Sequence, residues 1–127
     1  MKINPLGLSQ AITQARIASF HGKKVSIALP TNNTDFQIIN FRDGEIDSVI
    51  TRDDRKLKRG MIVRISSKYT GEGIAIIIGF NVGGKLLPVT VSMGGVEGEF
   101  VVCVRLEEIT TFPRTNHAKP AIITIKS

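Results

Sequence analysis

The residues best equipped to do chemistry in this chain are cations. Arg52, Arg55, Lys56, Lys58, Arg59, Arg64 and Lys68 crowd into residues 52–68, with Asp53 and Asp54 as the acids among them, and Tyr69 follows directly. Guanidinium and ammonium groups at this density attract polyanions, and a ring beside them can stack on a base while the cations meet phosphates. The chemistry they suit is binding dominated by phosphate contacts, weakly specific and steeply dependent on salt. The competing reading of the same run is a solvated connector that keeps the protein soluble.

Other reactive groups are sparse. Cys103 is the one cysteine, which excludes an intramolecular disulfide framework and any zinc site with several thiolates. It lies between Val102 and Val104, where a small buried thiol is expected. His21 fits the close of a helix and His117 a basic loop with Arg114 and Lys119; neither has a neighbouring carboxylate in sequence to orient it as a base. Asp53-Asp54 and Glu107-Glu108 would point to opposite faces if extended, and Asp43 reads as a turn residue. Thr90-Val91-Ser92-Met93-Gly94 lacks the first glycine of a nucleophile elbow and precedes a strand instead of a helix. Asn32-Asn33-Thr34 matches a glycosylation acceptor, which an intracellular chain would leave unused. Gly71-Glu72-Gly73, Gly83-Gly84 and Gly94-Gly95 lack the lysine of a phosphate loop and read as hairpin turns. No acid, base and nucleophile converge, so the expected protein is not an enzyme and needs no cofactor or metal.

Two stretches resemble known families. Lys58-Arg59-Gly60-Met61-Ile62-Val63-Arg64-Ile65, followed by Gly71-Glu72-Gly73-Ile74-Ala75-Ile76, resembles the KOW-type signature of small SH3-like barrels: a glycine, an alternating strand, a glycine-bearing loop, a second strand. That resemblance implies RNA or ribosomal and transcriptional partners, met through the loop. Arg55-Lys56-Leu57-Lys58-Arg59 has the Arg-x3-Arg spacing of PilZ domains, and Ser92-Met93-Gly94-Gly95 is similar to part of their second motif, with Thr90 where that motif has Asp or Asn. In PilZ domains the arginines grip the phosphates of cyclic di-GMP.

The elements that must position these groups are mostly strands. After Pro5 and Gly7, Ser9 can cap a helix over about residues 9–21 that ends at Gly22. Beyond it, residues 24–29, 35–41, 45–50, 61–67, 74–80, 86–92 and 99–106 read as strands, and 121–126 as a closing strand after a loop. Asp43-Gly44 between two such runs is a strong hairpin signal. Residues 61–67 alternate, with Met61, Val63 and Ile65 on one face and Ile62, Arg64 and Ser66 on the other; residues 74–80 are apolar on both faces, as in a central strand. The chain has 127 residues, 42% of them hydrophobic and 22% charged, and a formal net charge of +6, with most of the excess in residues 51–70. That size and balance fit one globular domain.

The expected fold is therefore mainly β, a small antiparallel β-barrel (SH3-like or related) or sandwich with one N-terminal helix, as a single domain over residues 1–127. No apolar run approaches the ~20 residues that span a bilayer, and no basic-then-apolar leader opens the chain, so a cytoplasmic protein is expected. The expected function is nucleic-acid binding through Arg52, Arg55, Lys56, Lys58, Arg59, Arg64, Lys68 and Tyr69. The alternatives are an assembly subunit that self-associates through its sheet edges, and a cyclic dinucleotide receptor.

Overall fold

A computed structural model describes residues 5–95 and 98–112. Helix α1 (Pro5–Ala18) is followed by a 3-10 turn (Phe20–Gly22) and by strands β1 (Lys24–Ala28), β2 (Phe36–Arg42), β3 (Glu45–Thr51), β4 (Lys56–Lys58), β5 (Ile62–Ser67), β6 (Gly71–Phe80), β7 (Val89–Gly95) and β8 (Gly98–Val104). A second 3-10 turn (Leu106–Glu108) leads into β9 (Ile109–Thr111). The strands form two antiparallel sheets, β1-β2-β3-β4 and β8-β7-β6-β5-β9. Strand pairing among the described residues does not close them into a barrel. The expected strand at 121–126 and the loop before it lie outside the described residues.

The two sheets share one core. Ile39, Phe41, Val49 and Leu57 from the first sheet and Val63, Ile65, Ile77, Val89, Val91 and Val104 from the second are all essentially inaccessible to solvent. Phe36 on β2 meets Phe80 on β6 edge to face, ring centroids 6.2 Å apart, a favoured aromatic geometry. Alternation along β5 is as the pattern demands, Val63 and Ile65 inward and Ile62, Arg64 and Ser66 outward. β6 is central in its sheet, but no layer among the described residues covers its second face, where Ile74, Ile76 and Ile78 are exposed.

The helix departs from its expected bounds. It starts at Pro5, because proline's fixed φ and missing N–H suit a first helical position, and Ser9 lies inside it, accepting from the Thr13 hydroxyl at 3.1 Å through its carbonyl. It ends at Ala18, and His21 occupies the left-handed turn beyond it (φ 68°) instead of the last helical turn. That turn clasps the β2–β3 hairpin. The Asp43 amide donates to the Ser19 carbonyl at 2.9 Å, the Gly44 amide to the Ser19 hydroxyl at 2.9 Å, and the Gly22 amide to the Asp43 carboxylate at 3.1 Å. Asp43 and Gly44 both take positive φ (52° and 82°), as the tight hairpin requires.

The first sheet ends in an element that the alternation pattern does not announce. Three residues, Lys56-Leu57-Lys58, pair with β3 through Ser48↔Lys58, Val49↔Leu57 and Ile50↔Lys56. The charged run is thus partly a strand, with Leu57 buried and its flanking lysines outward.

Candidate functional site

The register of the first sheet decides which side chains meet on its outer face, since directly paired residues of antiparallel strands share a face. Lys24 lies opposite Arg42, Ser26 opposite Asn40, Asn40 opposite Ser48, and Ser48 opposite Lys58. One row therefore crosses all four strands as Ser26–Asn40–Ser48–Lys58. The Ser26 hydroxyl donates to Asn40 Oδ1 at 2.6 Å, and Asn40 Nδ2 donates to Ser48 Oγ at 3.0 Å. These bonds leave the second Asn40 amide proton without a partner in the row, while Ser48, only 4% exposed, lies beneath it. A depression of about 290 Å³ lies over this row, rimmed by Lys24, Arg42, Lys56 and Lys58, with Asp47 as the acid in its lining.

Its electrostatics are unbalanced. No ion pair among the described residues engages those four cations, and all four are exposed. Lys24 directly opposite Arg42 costs stability, because like charges repel at cross-strand separations of about 5 Å. Glu45, the other cross-strand neighbour of Arg42, offsets this only in part, since its carboxylate pairs with Arg59. An anion on the face would relieve that cost.

The structure divides the eight residues expected to form the site. Lys56 and Lys58 belong to this face. Arg52 is committed within the chain: its Nε donates to the Asn33 carbonyl at 2.6 Å and its Nη2 to the carbonyls of Leu29 and Pro30, tying down the β1–β2 connection. Arg55 is committed too, to the carbonyls of Ile109 (2.7 Å) and Leu106 (3.0 Å) and to the Asp53 carboxylate (3.1 Å). Arg59 pairs with Glu45 at 2.9 Å. Arg64 lies on the outer face of the second sheet, in register with Ile74 and Thr110. Lys68 and the exposed Tyr69 occupy the β5–β6 turn at one end of that sheet. The eight residues do not form one surface: Arg52 and Arg55 are held by the chain's own carbonyls, and Arg59 is turned to Glu45 through one nitrogen.

Lys24 and Arg42 were missed because they stand outside the charged run. The β1–β2 register is the signal that would have found them. In a hairpin of this length one pairing fixes the rest, and Ile27 opposite Ile39 on the core side places Lys24 opposite Arg42.

The remaining chemistry-bearing groups stay apart. Among the described residues, no three His, Cys, Asp or Glu side chains are grouped to hold a metal. Cys103 is half-buried, not fully buried as expected, because β8 is an edge strand; its Sγ lies 3.4 Å from the Thr90 hydroxyl and 3.7 Å from Asn81 Nδ2. The Ser92 hydroxyl donates to the Glu99 carboxylate.

The Thr51 hydroxyl donates to Asp53, and this bond holds the carboxyl below its ordinary value. Slight desolvation opposes the shift, and the hydrogen bond and charge of Arg55 add to it. A lowered native value means that the ionised form stabilises the fold at pH above the ordinary aspartate range, and that this increment is lost as pH falls through the native value. Because the carboxylate is 63% exposed, the increment is small. Asp53→Asn should therefore be slightly less stable than wild type at neutral pH, and the difference should vanish in urea melts below the aspartate range.

No helix among the described residues is long and apolar enough to cross a membrane. No family model, no curated protein and no solved structure matches this chain.

Proposed function

We propose that this protein is a non-enzymatic nucleic-acid-binding module, and that its binding surface is the outer face of the first sheet. The observation that carries the reading is four cations outside any ion pair among the described residues, Lys24, Arg42, Lys56 and Lys58, around the hydrogen-bonded polar row Ser26–Asn40–Ser48. Cations neutralise phosphate charge, and oriented neutral donors fix the phosphate oxygens. The face spans three strand gaps of about 4.8 Å each, wide enough for one backbone. Beside the polar row runs a second one, Ala28–Ile38–Ile50–Lys56, which is aliphatic except at its end. Without an aromatic platform the bases gain little, so binding is led by phosphate and tolerant of sequence. A kinship with SH3-like, KOW-type modules belongs to the same proposal. Its support is the order Gly60, β5, a turn with Gly71 at positive φ, then β6.

A fluorescence-anisotropy titration with a labelled single-stranded oligonucleotide tests this reading. Four phosphate contacts at about 0.7 each give a slope of log K on log salt near −3. Absence of binding at low salt, or affinity unchanged by added salt, would overturn it.

A further inference from the structure

Two open sheets have four edges, and each edge strand presents unpaired backbone N–H and C=O groups. Three of these edges are blunted in the usual ways. β1 starts at Lys24 directly after Lys23, β4 is three residues long and carries two lysines, and β9 is three residues long. Among the described residues, β8 has no such protection. It runs seven residues, pairs with β7 without a register shift from Val89↔Val104 to Gly95↔Gly98, and contains neither lysine nor proline. Its single charge, Glu99, accepts from Ser92 on the neighbouring strand. Phe100 and Val101, on opposite faces of the strand, are 44% and 58% exposed.

The apolar surface does not stop at the edge. Ile62 lies opposite Ile76, Ile76 opposite Ser92, and Ser92 opposite Val101, so an outer-face row leads to β8, with exposed Ile74 and Ile78 beside it. A partner pairing with β8 would extend this row and satisfy the strand's free backbone groups together.

We infer that the partner is a second copy of this chain, its β8 paired antiparallel to β8 about a two-fold axis at Val101, so that two five-stranded sheets become one of ten. The strand is complementary to itself in that register. Val101 meets Val101, Phe100 meets Val102, and Gly98 meets Val104. Each Glu99 meets Cys103, which keeps the two carboxylates about 13 Å apart. The pairing covers the exposed Phe100 and Val101. A two-fold contact of this kind closes on itself and stops at a dimer. The cationic face lies on the other sheet, so dimerisation leaves it open.

Sedimentation equilibrium on the full chain should give a dimer with a dissociation constant of about 1–100 µM, the range of a small interface. Val101→Lys sets two ammonium groups opposite each other at the axis and should weaken association at least about tenfold while leaving the circular dichroism unchanged. Val101→Cys should form a reducible dimer under mild oxidation when wild type, whose Cys103 faces Glu99, does not; this holds whether or not the lysine variant folds. A wild type that stays monomeric at several hundred micromolar, a dimer that survives Val101→Lys intact, or a failure of Val101→Cys to cross-link would each overturn the inference. Slow amide exchange along β8 in a monomer would assign the edge to a segment of the same chain and overturn it equally.

Discussion

Lys56→Glu with Lys58→Glu should weaken oligonucleotide binding by about a hundredfold or more at low salt and flatten the salt slope by about 1.4, two contacts at about 0.7 each. Both side chains point outward from a three-residue strand whose only buried side chain is Leu57, so the exchange leaves the core untouched. The control is Arg64→Glu with Lys68→Glu on the second sheet. It lowers the net charge from +6 by the same four units, but away from the polar row. If attraction were set by net charge alone, both double variants would lose affinity alike. If the first sheet's face does the binding, the control keeps most of its affinity and a slope near that of wild type. Equal losses in the two variants would sink the assignment of the face while leaving polyanion binding in place.

The contrast between these pairs shows what the sequence could convey. Density of charge is visible in a string of residues; direction is not. Arg52, Arg55 and Arg59 are the arginines of the basic run outside β5; the first two are spent on carbonyls of their own chain, and the third is paired through one nitrogen with Glu45. A guanidinium carries five donors in a fixed fork and so serves as a clamp between loops as readily as it grips phosphate. Nothing local distinguishes the two uses, because the carbonyls concerned lie up to 54 positions away.

Elements with their own local signals were legible. The Asp43-Gly44 turn and the inward face of β5 follow from turn chemistry and period-two alternation, and so does the order β6–β7–β8. β7, however, expected over 86–92, runs Val89–Gly95 and takes in Gly94-Gly95, which read as a turn but pair with Glu99 and Gly98. β4 and β9 were not. Each is three residues long, too short for a period, and each exists because a longer strand offers it an edge. The outer apolar face of β6 misled for a related reason. Ile74, Ile76 and Ile78 read as the second buried face of a central strand, and β6 is central; but no layer among the described residues covers that face. Burial on both sides depends on layers that the strand's own residues do not encode.

Arg55→Ala should cost about 2–4 kcal/mol of folding stability and lower the melting temperature by roughly 10 °C, with little effect on oligonucleotide affinity measured below the transition. The side chain is 24% exposed and its fork spans the fold. It reaches from the start of β4 to the carbonyls of Leu106 and Ile109, on the 3-10 crossover that carries the chain from β8, at one edge of the second sheet, to β9 at the other. Removing it strips the donors from two carbonyls, one of them on the buried Ile109, and leaves Asp53 without its cation. The first structure to loosen should be β9, which rests on three pairs with β5. Hydrogen exchange should therefore quicken at residues 109–111 and on the β5 edge before it does in β6 and β7. Arg55→Lys should recover less than half of the loss, because a single ammonium cannot span both carbonyls and the carboxylate in one geometry. A loss below about 1 kcal/mol in Arg55→Ala would mean the clamp is incidental. An oligonucleotide affinity that falls as far as in the Lys56/Lys58 variant would return Arg55 to the binding surface.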